Sequence, residues 1–220
     1  MFDKSEIERL ALQAKSLPLA GTAYVDTELI PCLLTTVIDF QMQTRAVRNA
    51  LQYFQDHESE QVRTLEDLQV VFSHFPDDDR EANTRIATFL CGYKLWTRMG
   101  LLRALVSWMR RNKIEDLADL QQWAVTSDFK RDFEGQVRYR AEGRTYGLGL
   151  AVYSSLIMRL GVESVKPDVR LRRFVETTIG RKVSDLEIVS GLIEVAQHLG
   201  TSARQLDWAI WESQGSVPDP

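Results

Sequence analysis

The chain has 220 residues, a length that suits one or two domains, and its 44% hydrophobic and 26% charged residues are those of an ordinary globular protein. It carries 27 Lys/Arg against 31 Asp/Glu, net −4, so total charge does not single out a polyanion as partner. No apolar run reaches the ~18 residues of a membrane span. Cys32 and Cys91 are too few for a disulfide framework or a four-thiolate site, and His57, His74 and His198 lack metalloenzyme spacing, so no metal, cofactor or membrane partner is expected.

The opening MFDKSEIERLALQ is acidic and helical in pattern. It lacks a basic stretch ahead of an apolar one, so no secretory signal is expected. The expected setting is a reducing one, cytoplasmic or, in a bacterium, associated with the nucleoid. Ile30, Leu33, Leu34 and Val37, then Val47, Ala50, Leu51 and Phe54, repeat at helical spacing and predict two amphipathic helices. Thr64-Leu-Glu-Asp opens a short helix through Leu68 and Val71. Asn83 is the expected cap of a long helical region reaching about Arg111, broken near Gly92 or Gly100, and residues 115–126 predict another short helix.

The last third is more sharply punctuated. Tyr146-Gly147-Leu148-Gly149 reads as a tight turn feeding an apolar helix, Leu150 to Leu160, closed by Gly161. Lys166-Pro167-Asp168 precedes a helix whose inner stripe is Leu171, Phe174, Val175 and Ile179, with Gly180 as terminator. Ser184-Asp-Leu-Glu187 is a capping box opening a helix that Gly200 ends, and Ser202-Ala-Arg-Gln205 starts the next. No strand of useful length, internal repeat or linker is evident, and residues 216–220 read as a frayed tail. The expected fold class is all-α.

Charge is unevenly spread. Residues 130–182 hold 12 Lys/Arg against 6 Asp/Glu, between two acidic stretches. Such a block is either a solvated surface or a footprint for phosphates. The paired glycines Gly147 and Gly149 would let a backbone approach a ligand and present N–H groups at a helix N-terminus, as anion sites do. An ordinary helix–helix turn needs glycine as well. Asp168 has two compatible roles. It can cap its helix, and it can hold a carboxylate ionised beside the helix dipole, where it would stabilise a developing cation or orient a water.

Taken together, residues 143–180 resemble the helix-hairpin-helix and Gly/Pro–Asp signature (HhH-GPD) of base-excision DNA glycosylases. Gly147-Leu148-Gly149 matches the hairpin glycines. Pro167-Asp168-Val169-Arg170 matches the stretch bearing the catalytic aspartate, with Arg173 in the same basic turn. Residues 33–44 resemble the family's early helix, with Gln41 as the match for a DNA-contacting glutamine. Leu206 to Gly215 resembles the late helix that flanks the base pocket. The motifs cover about residues 143–215, extend loosely over 30–55, and elsewhere are matched only by helical pattern.

The resemblance implies a two-lobed helical fold. Its parts would be a segment 1–28 packed on the C-terminal lobe, a helical lobe 29–142, a lobe 143–215 carrying the hairpin, the Asp-bearing loop and the C-terminal helices, and the tail 216–220. It implies a monomer that flips a damaged or mismatched base out of double-stranded DNA, with Asp168 as catalytic carboxylate. Gln41, Thr145, Tyr146, Gly147, Leu148, Gly149, Lys166, Arg170 and Arg173 would contact DNA. Phe40, Tyr153, Trp208 and Trp211 would line the base pocket. No cofactor is implied, because the late cysteines of the iron–sulfur members are absent. Bifunctional members carry a lysine where this chain has Ala151, and many have proline where it has Tyr146. The expected activity is therefore monofunctional hydrolysis of an N-glycosidic bond. The alternatives are a non-catalytic DNA-binding protein using the same hairpin, and a helical protein-interaction domain.

Overall fold

In order along the chain come α1 (Lys4–Ala14), α2 (Leu29–Ile38), α3 (Thr44–His57), α4 (Leu65–Ser73), α5 (Arg80–Cys91), α6 (Trp96–Arg111) and α7 (Leu117–Thr126). A π-helical turn (Phe129–Phe133) and a hairpin of β1 (Arg138–Ala141) and β2 (Arg144–Gly147) follow. The chain ends with α8 (Leu150–Arg159), α9 (Val169–Ile179), α10 (Asp185–Leu199) and α11 (Ala203–Ser213). This is a computed structural model describing residues 2–19, 24–39 and 42–215. The protein is mostly helical, and its described residues hold no helix long and apolar enough to cross a membrane.

Side-chain caps set the helix starts. Asp3, Thr64, Ser184 and Ser202 form reciprocal capping boxes with Glu6, Asp67, Glu187 and Gln205. Asp79, not Asn83, caps α5. Asn83 instead lies inside α5, fully buried. The helical region breaks at Gly92, which takes the left-handed conformation (φ 69°), while Gly100 sits inside α6. Gly180 and Gly200 end α9 and α10 in the same left-handed way.

The chain folds as two compact units, Met1–Val25 with Tyr153–Pro220, and Asp26–Val152. In the first, α1 packs on α9 and α10, and α11 packs on α9 and α10. Its core gathers Ile7, Leu10, Leu171, Val175, Ile188, Leu192 and Leu206. Complete burial of each such aliphatic chain stabilises by about 1.5–3 kcal/mol before entropy is counted. Arg181 closes one edge, with Nε 2.7 Å from Glu6 Oε1 and Nη1 3.2 Å from Glu187 Oε1.

In the second unit α6 is central. It packs against α2, α5 and β1 and buries Met99, Leu102, Leu105 and Trp108. Trp108 makes edge contacts with Trp123 and Phe133, at 4.8 and 5.4 Å between centroids. The strands correct the all-helical expectation for 138–147. The turn is Glu142-Gly143, both at positive φ (49° and 72°), the two-residue primed turn that matches strand twist. Register pairs Tyr139 with Tyr146 and Arg140 with Thr145. The hairpin belongs to the unit Asp26–Val152, whose end falls within α8.

Candidate functional site

Within the first unit, Asp168 stands at the mouth of α9. A three-residue turn centred on buried Pro167 brings Asp168 N–H to the Lys166 carbonyl (2.7 Å). Asp168 Oδ1 then accepts the N–H groups of Arg170 (2.8 Å) and Leu171 (3.0 Å). Oδ2 has no hydrogen-bond partner among the described residues. The residue is half-buried, not sealed in the core. The side chain is thus oriented by its cap while one oxygen stays available.

The loop is pinned from α11. Lys166 donates its backbone N–H to Oδ1 of half-buried Asp207 at 2.7 Å. Burial pushes the Asp207 carboxyl up to about 7, and the neighbouring Asp168 charge adds to the rise, while the Lys166 N–H and its ammonium oppose it. Asp207 was not among the residues expected from sequence. Its only signal there is an acid beside the inner stripe Leu206, Ala209 and Ile210.

Asp207 also lines a cavity of about 320 Å³ with Tyr24, Ser155, Met158, Lys166 and Trp208. Arg159 and Arg204 complete the wall. Arg204 is tied to Glu163 (3.1 Å) and to the Met158 carbonyl (3.1 Å), and Arg159 Nε donates to the Ser155 carbonyl (3.3 Å). Trp208 is 48% exposed and stacks on Trp211 at 5.5 Å. With aromatic Tyr24 and Trp208 set among Lys166, Arg159, Arg204 and Asp207, the cavity suits a flat, partly polar ring.

The other expected residues fall out as follows. Arg170 lies 4.0 Å over the Trp211 ring and donates to its carbonyl (3.1 Å), so its guanidinium is held on α11. Arg173 is exposed on α9. Tyr153 is buried at 5% exposure, a core position. Phe40 and Gln41 lie outside the described residues.

Thr145, Tyr146, Gly147, Leu148 and Gly149 belong to the second unit up to the start of α8. Here the turn expected at Tyr146–Gly149 is corrected. Neither Gly147 nor Gly149 has positive φ, and the arm entering them is strand β2, not a helix. Leu148 donates its N–H to the Val137 carbonyl (3.3 Å) and is buried, which fixes the exit from the hairpin. Gly147 and Gly149 are exposed, and a Cβ at Gly149 would meet open space.

The second unit has a larger cavity, about 900 Å³, whose wall includes Glu28, Asp56, Glu60, Glu115 and Asp116. That acid-rich lining repels phosphates. No group of His, Cys, Asp and Glu among the described residues is arranged to hold a metal ion. Cys32 and Cys91 are buried and not joined in a disulfide, and burial pushes the Cys91 thiol up to about 12, far from nucleophilic at neutral pH.

Over residues 13–215 the chain matches a family model described as a domain of unknown function (DUF8548), and it belongs to that family. No curated protein and no solved structure matches it significantly.

Proposed function

We propose that this DUF8548 protein is a DNA glycosylase-like repair protein, of HhH-GPD-like fold, that hydrolyses the N-glycosidic bond of a damaged base flipped out of duplex DNA. The observation that carries the reading is Asp168. Its Oδ1 is fixed by two backbone N–H groups, its Oδ2 is unengaged among the described residues, and its loop is anchored to a residue of an aromatic-walled cavity. In the proposed step the bond between base and sugar breaks, and its electron pair leaves with the base. The Asp168 carboxylate stabilises the oxocarbenium ion left on the sugar. Water then adds its oxygen to the anomeric carbon, and one of its protons goes to the departing base. Ala151, where bifunctional relatives carry lysine, supplies no amine for a Schiff base, so the product is an intact abasic strand. The flipped base is assigned to the 320 Å³ cavity, stacked on Trp208.

The arm before Gly147 is a strand, so the first helix of a helix-hairpin-helix is missing there, which weighs against that motif in either reading. A second reading, a non-catalytic DNA binder, draws on exposed Arg138 and Arg140 of β1, which have no acidic partner among the described residues. One assay separates the two. Duplexes bearing alkylated, deaminated or oxidised bases are incubated with the protein, then treated with alkali to cleave abasic sites. The expected result is cleavage at one lesion class with wild type and none with Asp168→Asn. Full activity in that variant removes Asp168 from the chemistry, and duplex binding without release from any lesion supports the binder.

A further inference from the structure

The β-hairpin has two unlike faces. On one, Tyr139 and Tyr146 pair across the strands and make edge contacts with Trp96, both at 6.2 Å. Tyr139 packs against Gly100 of α6 so closely that a Cβ there would overlap its ring. Its hydroxyl accepts from Asn83 Nδ2 (3.1 Å) and donates to the Asp78 carbonyl (3.3 Å). That face locks the hairpin to the helices beneath it. The other face carries Arg138 and Arg140, opposite Gly147 and Thr145 in the register, whereas Arg144, opposite Ala141, falls on the tyrosine side of the pleat. Arg138 and Arg140 are exposed, and neither has an ion-pair or hydrogen-bond partner among the described residues. The nearby acid Glu142 is taken by Arg80 (3.2 Å). The Arg138 guanidinium lies against Gly135, which has positive φ (70°) and no side chain to displace it.

We infer that this hairpin face is a docking surface for the phosphodiester backbone of duplex DNA, with Arg138 and Arg140 as its phosphate contacts. It deepens the proposed function and rests on it for the identity of the polyanion. Two uncompensated guanidiniums on a rigid ribbon are complementary to regularly spaced anions, in a chain whose net charge is −4. Residues two apart on an antiparallel strand rise ~6.8 Å, the same axial distance as two successive phosphate steps of a DNA strand at ~3.4 Å each. The two open positions across from the arginines, Gly147 and Thr145, leave room for a backbone to come close.

The test is the salt dependence of binding to an undamaged duplex, read by fluorescence anisotropy. It compares wild type, the double variant Arg138→Gln/Arg140→Gln, the matching double Lys variant and the single Arg140→Gln. Each lost phosphate contact lowers the salt slope by ~0.9, so the double Gln variant loses ~1.8, and its affinity ratio to wild type changes about 12-fold between roughly 50 and 200 mM salt. The Lys variant keeps the wild-type slope, and Arg140→Gln loses about half as much as the double. An unchanged slope in the Gln variants overturns the inference. So does polyglutamate displacing the duplex with the same dependence on these arginines, which assigns the face to acidic proteins. The reduced slope without base release from any lesion keeps this surface and removes the glycosylase. Base release with an unchanged slope does the opposite.

Discussion

Lys166 hands its backbone N–H to Asp207 across 2.7 Å, so a carboxyl group on α11 fixes the loop that carries Asp168. The two acids are close enough that the charge of one raises the proton affinity of the other. Cavity wall, loop anchor and capped carboxylate form one connected unit.

That connection predicts a pH dependence of stability. The Asp207 carboxyl sits at about 7 in the folded protein against 3.8 as its ordinary value, so the folded state binds the proton more tightly. Stability contributed by this group is complete below about pH 4 and falls as pH rises through 7, by up to about 4 kcal/mol at 1.36 kcal/mol per unit. Asp207→Asn keeps an oxygen to accept the Lys166 N–H and removes the titration. Urea unfolding at pH 5 and pH 8 should show a marked drop for wild type and a much smaller one for the variant. Equal drops would place the titrating group elsewhere.

Asp168 allows its two roles to be separated. Asn is as good a helix cap as Asp, whereas Ala is worse by about 1 kcal/mol. Asp168→Asn should therefore melt close to wild type, and Asp168→Ala several degrees lower, while both lose base release. Thermal unfolding by circular dichroism beside the lesion assay checks the split. If the Ala variant retains release, the carboxylate is a cap and nothing more.

What the sequence disclosed and what it hid follow from range. The capping boxes at Ser184 and Ser202, and the left-handed ends at Gly180 and Gly200, are local and legible, because the residues that satisfy each other lie within a turn. Pro167-Asp168 was legible as a cap for the same reason. Asp207 was not, since its partner Lys166 lies 41 residues away. Asn83 misled because it has the chemistry of a cap. The preceding Asp77, Asp78 and Asp79 offered nearer alternatives, and Asn83 is drawn inward to Tyr139 and Arg103. The hairpin escaped because each strand has four residues, and neither RYRA nor RTYG alternates polar against aliphatic. Gly100 looked like a helix break because its role, making room for Tyr139, belongs to packing and leaves no local trace.

Gly100 therefore carries a sharp expectation. Gly→Ala inside an exposed helix raises stability, by up to about 1 kcal/mol. Here the added methyl meets the Tyr139 ring, which cannot swing away without losing Asn83 and the Asp78 carbonyl. Gly100→Ala should instead destabilise by about 1–3 kcal/mol, as overpacking does. In a Tyr139→Leu background the same substitution should cost much less. Denaturant unfolding of the four proteins of that cycle measures the coupling, and additive effects would contradict the packing.

Glu6 supplies the acid limb of the pH profile. It is buried at 7% exposure, accepts from Arg181 Nε at 2.7 Å and Nη2 at 3.2 Å, and its Oε2 accepts the Asp3 N–H at 3.0 Å. The Arg181 hydrogen bond, helped by the Asp3 N–H, holds its carboxyl below the ordinary 4.5. A depressed carboxyl contributes stability that is present above about pH 4.5 and lost as pH falls through the folded value. Glu187, brought down to about 2 chiefly by the Ser184 N–H and hydroxyl, acts in the same direction. Glu6→Gln keeps an acceptor for Asp3 and removes the charge, so it should lower stability at pH 6 and flatten the loss between pH 5 and pH 3. Arg181→Ala leaves the Glu6 carboxylate without its guanidinium and should lower stability. The same change in the Glu6→Gln background should cost less, because the group left behind is neutral. Urea unfolding of wild type, both single variants and the double at pH 6 gives the coupling. If Arg181→Ala costs the same in both backgrounds, the ion pair does not hold α1 against the turn that follows α9.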